Sequence, residues 1–251
     1  LAAIHRATYN QDNYRQFFWQ NREDAPINQV QYLVHKLERV EPEIFGQVPP
    51  DVLKFIVLYQ RYDSLGQAMT ELANTLAPCC VTHNDLKLNN ILLHNDWHKP
   101  SDSIVRLIDW ERAAFGHPAF DLGTLIASYL QIWLNSLLIS NTVSIEESLR
   151  LAVIPLEQIQ PSIVVLTKAY LDNFPDVLDH CPDFLRRVVQ CAGFGLIRQV
   201  MAILQNQASL GNTGICVLQV AKSLLCRPDQ SMLTIFGTNA AELTRLSMSA
   251  A

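Results

Sequence analysis

Charge is the first thing this sequence is short of. Lys, Arg, Asp and Glu make up 17% of its 251 residues, against about 25% in an average soluble domain. Acidic residues outnumber basic ones, 24 to 19, for a formal net charge of −5. A nucleic-acid binder would carry a basic stripe instead. Disorder is excluded too, because 49% of the residues are hydrophobic and a disordered chain lacks the apolar surface to offset the entropy of ordering. Glycine is scarce, with nine in all and the first at Gly46. No uninterrupted apolar run reaches the roughly 18–20 residues of a membrane-spanning helix, since Val188–Ile197 and Ile215–Cys226 are short or carry Gln and Lys. The N-terminus lacks the pattern of a signal peptide. No C-x-x-C pair occurs among Cys79, Cys80, Cys181, Cys191, Cys216 and Cys226. Most of them sit in apolar helical stretches, where free cysteine packs as a small hydrophobe. Vicinal Cys79–Cys80 could be redox-active, but packing is the simpler role. This usage points to a reducing cytoplasm.

Most of what is present reads as helix, in a length that suits one large domain or two modest ones. Residues 1–20 carry Ile4, Tyr14, Phe17 and Phe18 on a single face. After Pro49–Pro50, Asp51 is a natural N-cap, and Phe55, Tyr59, Tyr62, Met69, Leu72 and Leu76 follow at helical steps until Pro78. Leu122, Ile126, Tyr129, Trp133 and Leu137 form another stripe from Asp121 onward. Further helices are expected near 161–174, 183–207 and 213–226, separated by Pro175, Pro182 and a Gly211-Asn212-Thr213-Gly214 turn.

One region departs from this pattern. NILLH (90–94) and SIVRLID (103–109) are short β-rich runs joined by the polar loop Asn95–Asp102 with its Pro100, which is a hairpin signal. In an antiparallel pair the start of the first strand lies beside the end of the second, with strands about 5 Å apart. Asn90 and Asp109 should therefore meet at one end of the hairpin, with Asp85 on the loop leading in. Carboxylate and amide oxygens are the hard ligands Mg²⁺ prefers, and it takes one or two protein ligands alongside phosphate oxygens. Phosphoryl transfer needs such an ion and a separate carboxylate to orient the attacking hydroxyl. Taken singly, Asp85 and Asn90 could equally cap turns and Asp109 end a strand.

The surrounding strings favour the chemical alternative. Residues 82–92 read THNDLKLNNIL, matching H-x-D-L-x-x-x-N, and residues 107–123 read LIDWERAAFGHPAFDLG. Together, and with a family-like helix at LAAIHRAT, they resemble the aminoglycoside phosphotransferase and choline kinase group, which shares the protein-kinase fold. The resemblance covers roughly residues 1–135. It implies Asp85 as catalytic base, Asn90 and Asp109 as Mg²⁺ ligands contacting ATP through the metal, and His83 as a structural member of the catalytic loop. Asp121 would brace that loop through backbone hydrogen bonds, or cap the helix starting there. Glu111 could approach metal or substrate, or be a solvated carboxylate. Lys87 could reach the γ-phosphate of ATP, or be a surface lysine. Many members of the family have Gly after the loop histidine; here it is Asn84, and choline and ethanolamine kinases likewise have Asn.

An active kinase of this fold also uses a β-rich N-terminal lobe with a glycine-rich loop and a lysine. Upstream of His83 the glycines are Gly46 and Gly66, and the lysines are Lys36 and Lys54 in helical surroundings. The chain, opening on Leu1 rather than Met, is therefore expected to be a mainly α C-terminal lobe with a small β-hairpin, and the N-terminal lobe is not seen in it. Residues 1–140 would form its catalytic core and 141–251 a helical remainder on the substrate side. The expected activity is ATP-dependent phosphorylation of a small-molecule hydroxyl of the aminoglycoside, amino alcohol or sugar type. A non-catalytic helical binding module with a peptide or protein partner is the alternative, as is a kinase for peptide Ser/Thr, suggested by the Asp-Leu-Lys string. Weaker features are His94, Asp96 and His98 as a metal site or solvated loop, and Asp172, Asp176, Asp179 and Asp183 as a lure for a cationic substrate or a solvated surface. Tyr129 and Trp133 could line a cation–π pocket but suit the core better, and Gly193-x-Gly195 suits packing.

Overall fold

A computed structural model of the chain describes residues 1–20, 28–38, 47–98, 104–138, 144–207 and 211–245. The protein is mostly helical. Among the described residues, five helices precede the first strand: α1 (Ala2–Thr8), α2 (Asp12–Gln20), α3 (Gln29–Glu38), α4 (Pro50–Gln60) and α5 (Asp63–Thr75). Two small antiparallel sheets follow, β1 (Cys80–Thr82) with β4 (Ala114–Gly116) and, between them in sequence, β2 (Ile91–Leu93) with β3 (Val105–Leu107). The rest is α6 (Pro118–Asn135), α7 (Ile145–Arg150), α8 (Leu156–Asn173), α9 (Val177–His180), α10 (Phe184–Gln207), α11 (Gly211–Cys226), α12 (Pro228–Phe236) and α13 (Ala240–Arg245).

The centre of the fold is α10 packed between α6 and α11. Small residues allow the close approach. A Cβ on Gly123 of α6 would come within 2.6 Å of the Val188 carbonyl, and one on Gly195 within 2.7 Å of the Ala127 Cβ. Gly193 faces α11, where a Cβ would meet the Ala221 carbonyl at 2.9 Å, so the Gly193-x-Gly195 pair serves packing. Phe194 between them tilts against Phe120 at 5.6 Å. The α10 segment Phe184–Gln205 is long and apolar enough to cross a membrane, but 67% of it is buried inside the fold, as expected of a core helix.

The 90–94/103–109 hairpin forms as the sequence predicts, with Ile91 opposite Leu107 and Leu93 opposite Val105. Residues 99–103 of its connection, Pro100 included, lie outside the described residues. Several expectations need correction. Residues 1–20 are two helices, because Asn10 adopts a left-handed φ of 51° and donates its N–H to the Cys79 carbonyl at 2.7 Å. The buried face of α1 is Ala2, His5 and Thr8, and α2 buries nothing. Ile4, Tyr14, Phe17 and Phe18 do share a side, but it borders an open groove. The run from Asp51 to Leu76 breaks at Arg61–Tyr62, where Tyr62 has a non-helical backbone and begins α5. Pro49 holds the cap position of α4, leaving Asp51 inside its first turn, paired with Lys54 at 2.6 Å. Helix α8 starts at Leu156 with Pro161 inside it, and the expected turn at Gly211–Gly214 is the first turn of α11. Likewise α6 begins at Pro118, with His117 as its cap through Nδ1 and the Ala119 N–H, and stops before Leu137. Asp121 is therefore not its cap.

Candidate active site

The loop from His83 to Asn90 leaves β1 and enters β2, and its backbone is fixed from below by Asp121. Asp121 is fully buried. Its Oδ2 accepts the His83 N–H at 2.6 Å and its Oδ1 the Asn84 N–H at 2.9 Å. A third donor is His5 on α1, whose Nε2 lies 3.2 Å from Asp121 Oδ2 while its Nδ1 lies 2.7 Å from the Tyr170 hydroxyl. The carboxylate can only accept, so His5 donates from Nε2 and accepts the tyrosine O–H at Nδ1. One buried carboxylate thus ties α1, α6 and α8 to the loop. Asn84 takes φ 62°, a conformation that glycine and asparagine adopt more readily than other residues.

His83 is fully buried as well. Its Nε2 donates to the Ile108 carbonyl at 2.8 Å, so its Nδ1 is the acceptor for the Asp85 N–H at 3.3 Å. The imidazole also packs on Trp110, ring centres 4.6 Å apart. This orients Asp85, the side chain around which the charges gather. Asp85 Oδ2 accepts from Lys87 Nζ at 2.8 Å and Oδ1 from Arg198 Nη2 at 3.0 Å. Burial opposes ionisation of Asp85, but the hydrogen bond from Lys87 and the charges of Arg198, Lys87 and Arg112 outweigh it and hold the carboxyl below its ordinary value. Burial lowers the Arg198 pKa, and Asp85 counteracts it.

Asn90 and Asp109 meet at the hairpin end. The Asn90 amide Nδ2 donates to the Asp85 carbonyl at 2.9 Å and lies 3.4 Å from Asp109 Oδ2. Asp109 itself is exposed, with a left-handed φ of 68°. Both contacts use the amide nitrogen, so Oδ1 is the end of the Asn90 amide that could serve a metal. An amide oxygen and a carboxylate of this kind fit a Mg²⁺ ion that completes its shell with phosphate and water. Glu111 is not drawn into this group among the described residues: its side chain is 72% exposed and it pairs with Arg112 at 3.9 Å.

A cavity of about 600 Å³ opens beside Asp85. Its walls come from α3 (Gln29, Tyr32), from the loop (Leu86, Lys87), from α6 (Thr124, Ser128) and from α10 (Arg198, Gln199, Gln205), with Arg112 at the side. Sequence reasoning missed α3 and the α10 residues. Arg198 carried one signal, a cation set within an apolar helical run. Other sequence candidates fall elsewhere. None of Asp172, Asp176, Asp179 and Asp183 lines the cavity, and Asp183 pairs with Arg187 at 2.9 Å. Trp133 is buried in the core with Tyr129 packed against it. His94, Asp96 and His98 are exposed, and among the described residues no group of His, Cys, Asp and Glu is arranged to hold a metal ion by itself.

Comparison with known proteins places the chain in a family. The model of the APH phosphotransferase enzyme family matches residues 1–143, more than half of the chain. Ethanolamine kinase 2 of Rattus norvegicus is 35% identical over 95 residues, which are 36% of this chain and 23% of that protein. The matched region thus spans about a quarter of the relative's length.

Proposed function

The chain belongs to the APH phosphotransferase enzyme family, and on that premise we propose that it moves the γ-phosphate of ATP to a hydroxyl of a small molecule, its described residues forming the C-terminal lobe of a protein-kinase-like fold. The observation that carries this reading is the placement of Asp85. Asp85 lines a cavity of about 600 Å³, within the usual range for small-molecule sites, and its backbone carbonyl accepts from Asn90, the neighbour of Asp109.

Asp85 is ionised at neutral pH and its two oxygens carry more lone pairs than Lys87 and Arg198 use. It can therefore accept a hydrogen bond from the acceptor hydroxyl, orient that oxygen for in-line attack and take its proton. Lys87, held 2.8 Å from Asp85, places an ammonium where charge gathers on the transferred group. Asn90 and Asp109 are the residues that would hold Mg²⁺, which when bound neutralises the phosphates of ATP. His83 and Asp121 position the loop and do not touch substrate.

In the full-length protein, Asp85→Ala should lower kcat by at least about a hundredfold with KM for ATP little changed. Asp109→Ala should raise KM for Mg–ATP as well as lowering kcat. Steady-state kinetics of ATP consumption with a panel of hydroxyl acceptors reads both. Turnover unchanged in both variants would overturn the proposal.

A further inference from the structure

The chemistry of the cavity wall narrows the acceptor, and this step rests on the phosphotransferase reading above. Among the described residues of the wall, Asp85 is the one carboxylate, and it is already bound by Lys87 and Arg198 at 2.8 and 3.0 Å. The cations Lys87, Arg198 and Arg112 all act on that carboxylate. Among the described residues of the wall, a cationic amine meets three positive charges and no unengaged acid. Ammonium recognition relies on carboxylates or on an open aromatic face. Two aromatics are on the described wall: Tyr32 already has the Lys36 ammonium 5.0 Å from its ring centre, and Phe194 is fully buried against Phe120, so neither offers an open face.

Away from Asp85 the polar wall is amides and hydroxyls: Gln29, Gln199, Gln205, Thr124 and Ser128. Gln199 is the informative one. Its Oε1 is buried and has no hydrogen-bond partner, which is costly for an amide unless a ligand supplies the donor. Thr124 and Ser128 spend their O–H groups on the Asp121 and Thr124 carbonyls within α6, so toward the cavity their oxygens are acceptors. Such a wall is matched by a molecule that brings several O–H donors and no charge.

We infer that the acceptor is an uncharged polyhydroxylated molecule of the sugar type, bound with one hydroxyl donating to Gln199 Oε1 and another presented to Asp85. In the reaction the presented oxygen forms a bond to the γ-phosphorus of ATP as the bond from that phosphorus to the β-phosphate oxygen breaks. The hydroxyl proton passes to Asp85, and the products are a sugar phosphate and ADP. The acidic stretch around Pro175 plays no part, since it lies outside the cavity.

The test measures two things on the full-length protein and on Gln199→Leu and Gln199→Glu: binding by calorimetry and phosphoryl transfer from ATP. The probes are neutral pentoses and hexoses, ethanolamine, choline, and an aminoglycoside. Neutral sugars should bind and be phosphorylated at least about tenfold better, by Kd and kcat/KM, than any of the amines. Gln199→Leu should weaken sugar binding by about tenfold, the worth of one hydrogen bond to a buried acceptor. Gln199→Glu should shift preference toward the amines, a change that a merely structural role for Gln199 would not produce. Preference for an amine in the unaltered protein, or sugar binding indifferent to Gln199→Leu, overturns the inference while leaving the phosphotransferase reading standing. Sugar binding that depends on Gln199 without transfer from ATP to any acceptor upholds the inference about the ligand and overturns that reading. Binding of no acceptor overturns the inference.

Discussion

Replacing Arg198 with alanine tests how the candidate base is held. The guanidinium lies 3.0 Å from Asp85 Oδ1, with the two side chains 25% and 14% exposed, and it also donates to the Asn84 carbonyl at 3.4 Å. Unit charges at that separation attract by roughly 5 kcal/mol at an effective dielectric of 20. Desolvation of both ions takes back much of this, and Lys87 at 2.8 Å still partners the carboxylate once Arg198 is gone. A net loss of about 2 kcal/mol remains, the size of one charge-assisted hydrogen bond. In a domain of this length it lowers Tm by roughly 4–8 °C. The protonation of Asp85 changes in a defined direction. Burial is the largest influence and favours the neutral form, and Arg198 is among the charges that overcome it, so its removal raises the Asp85 pKa. Activity that needs the ionised carboxylate is lost as pH falls through that pKa, and the acid limb of kcat/KM therefore moves to higher pH. Arg198→Lys keeps the charge without the planar fork that reaches Asp85 and Asn84 together. It should recover part of the acid limb and less of kcat. Thermal melts and pH–rate profiles of the three proteins read all of this. An Arg198→Ala protein with an unchanged Tm and an unchanged acid limb would refute the reasoning.

Two further predictions concern groups away from the reacting atoms. Asp121→Asn puts an NH₂ group where one of three donors, the His83 N–H, the Asn84 N–H or His5 Nε2, needs an oxygen. In a fully buried position this should cost about 3 kcal/mol by urea unfolding, and a loss under 1 kcal/mol would count against the bracing role. His117 is held neutral, its pKa pushed down to about 3 by burial first and by the Arg187 charge second. The unfolded chain takes up that proton near the ordinary value of 6.5, so the stability from neutral His117 is present above about 6.5 and is lost as pH falls from there toward 3. Unfolding free energy should fall by about 1.4 kcal/mol per pH unit through this window for this group, and His117→Gln should remove that part of the slope.

Chemistry at this site was legible because it is local. His83, Asp85, Lys87 and Asn90 lie within one short loop, and hairpin pairing alone brings Asn90 to Asp109. Strand alternation and turn chemistry of that kind survive in a sequence with few other cues. The bracing by Asp121 was different: spacing could not show it, and only the resemblance placed that residue under the loop. Helix α3 left a signal that went unused, since Val30, Leu33, Val34 and Leu37 stand at helical steps and are all buried. Strands β1 and β4 left none. Each is three residues long and the two are joined only by tertiary pairing, Cys80 with Gly116 through Thr82 with Ala114, which no local propensity records.

The cavity wall shows where a sequence goes silent for a physical reason. Arg198 reaches Asp85 across 113 positions, and Gln199 is one glutamine among several on α10 until the packing of α10 on α6 sets it in the cavity wall. A side chain's partner at that distance is decided by Gly123 and Gly195, which set how near the two helices come. The acidic stretch makes the converse point. Four aspartates in twelve residues (172–183) suggest a lure for cations, yet charge density does not say what a surface borders, and none of these four lines the cavity beside Asp85. On the proposed reading, the residues that would perform the transfer are thus carried by a motif, whereas those that would choose the acceptor are carried by helix packing. Acceptor specificity in this chain should accordingly change with substitutions on α3 and α10 that leave every motif residue untouched.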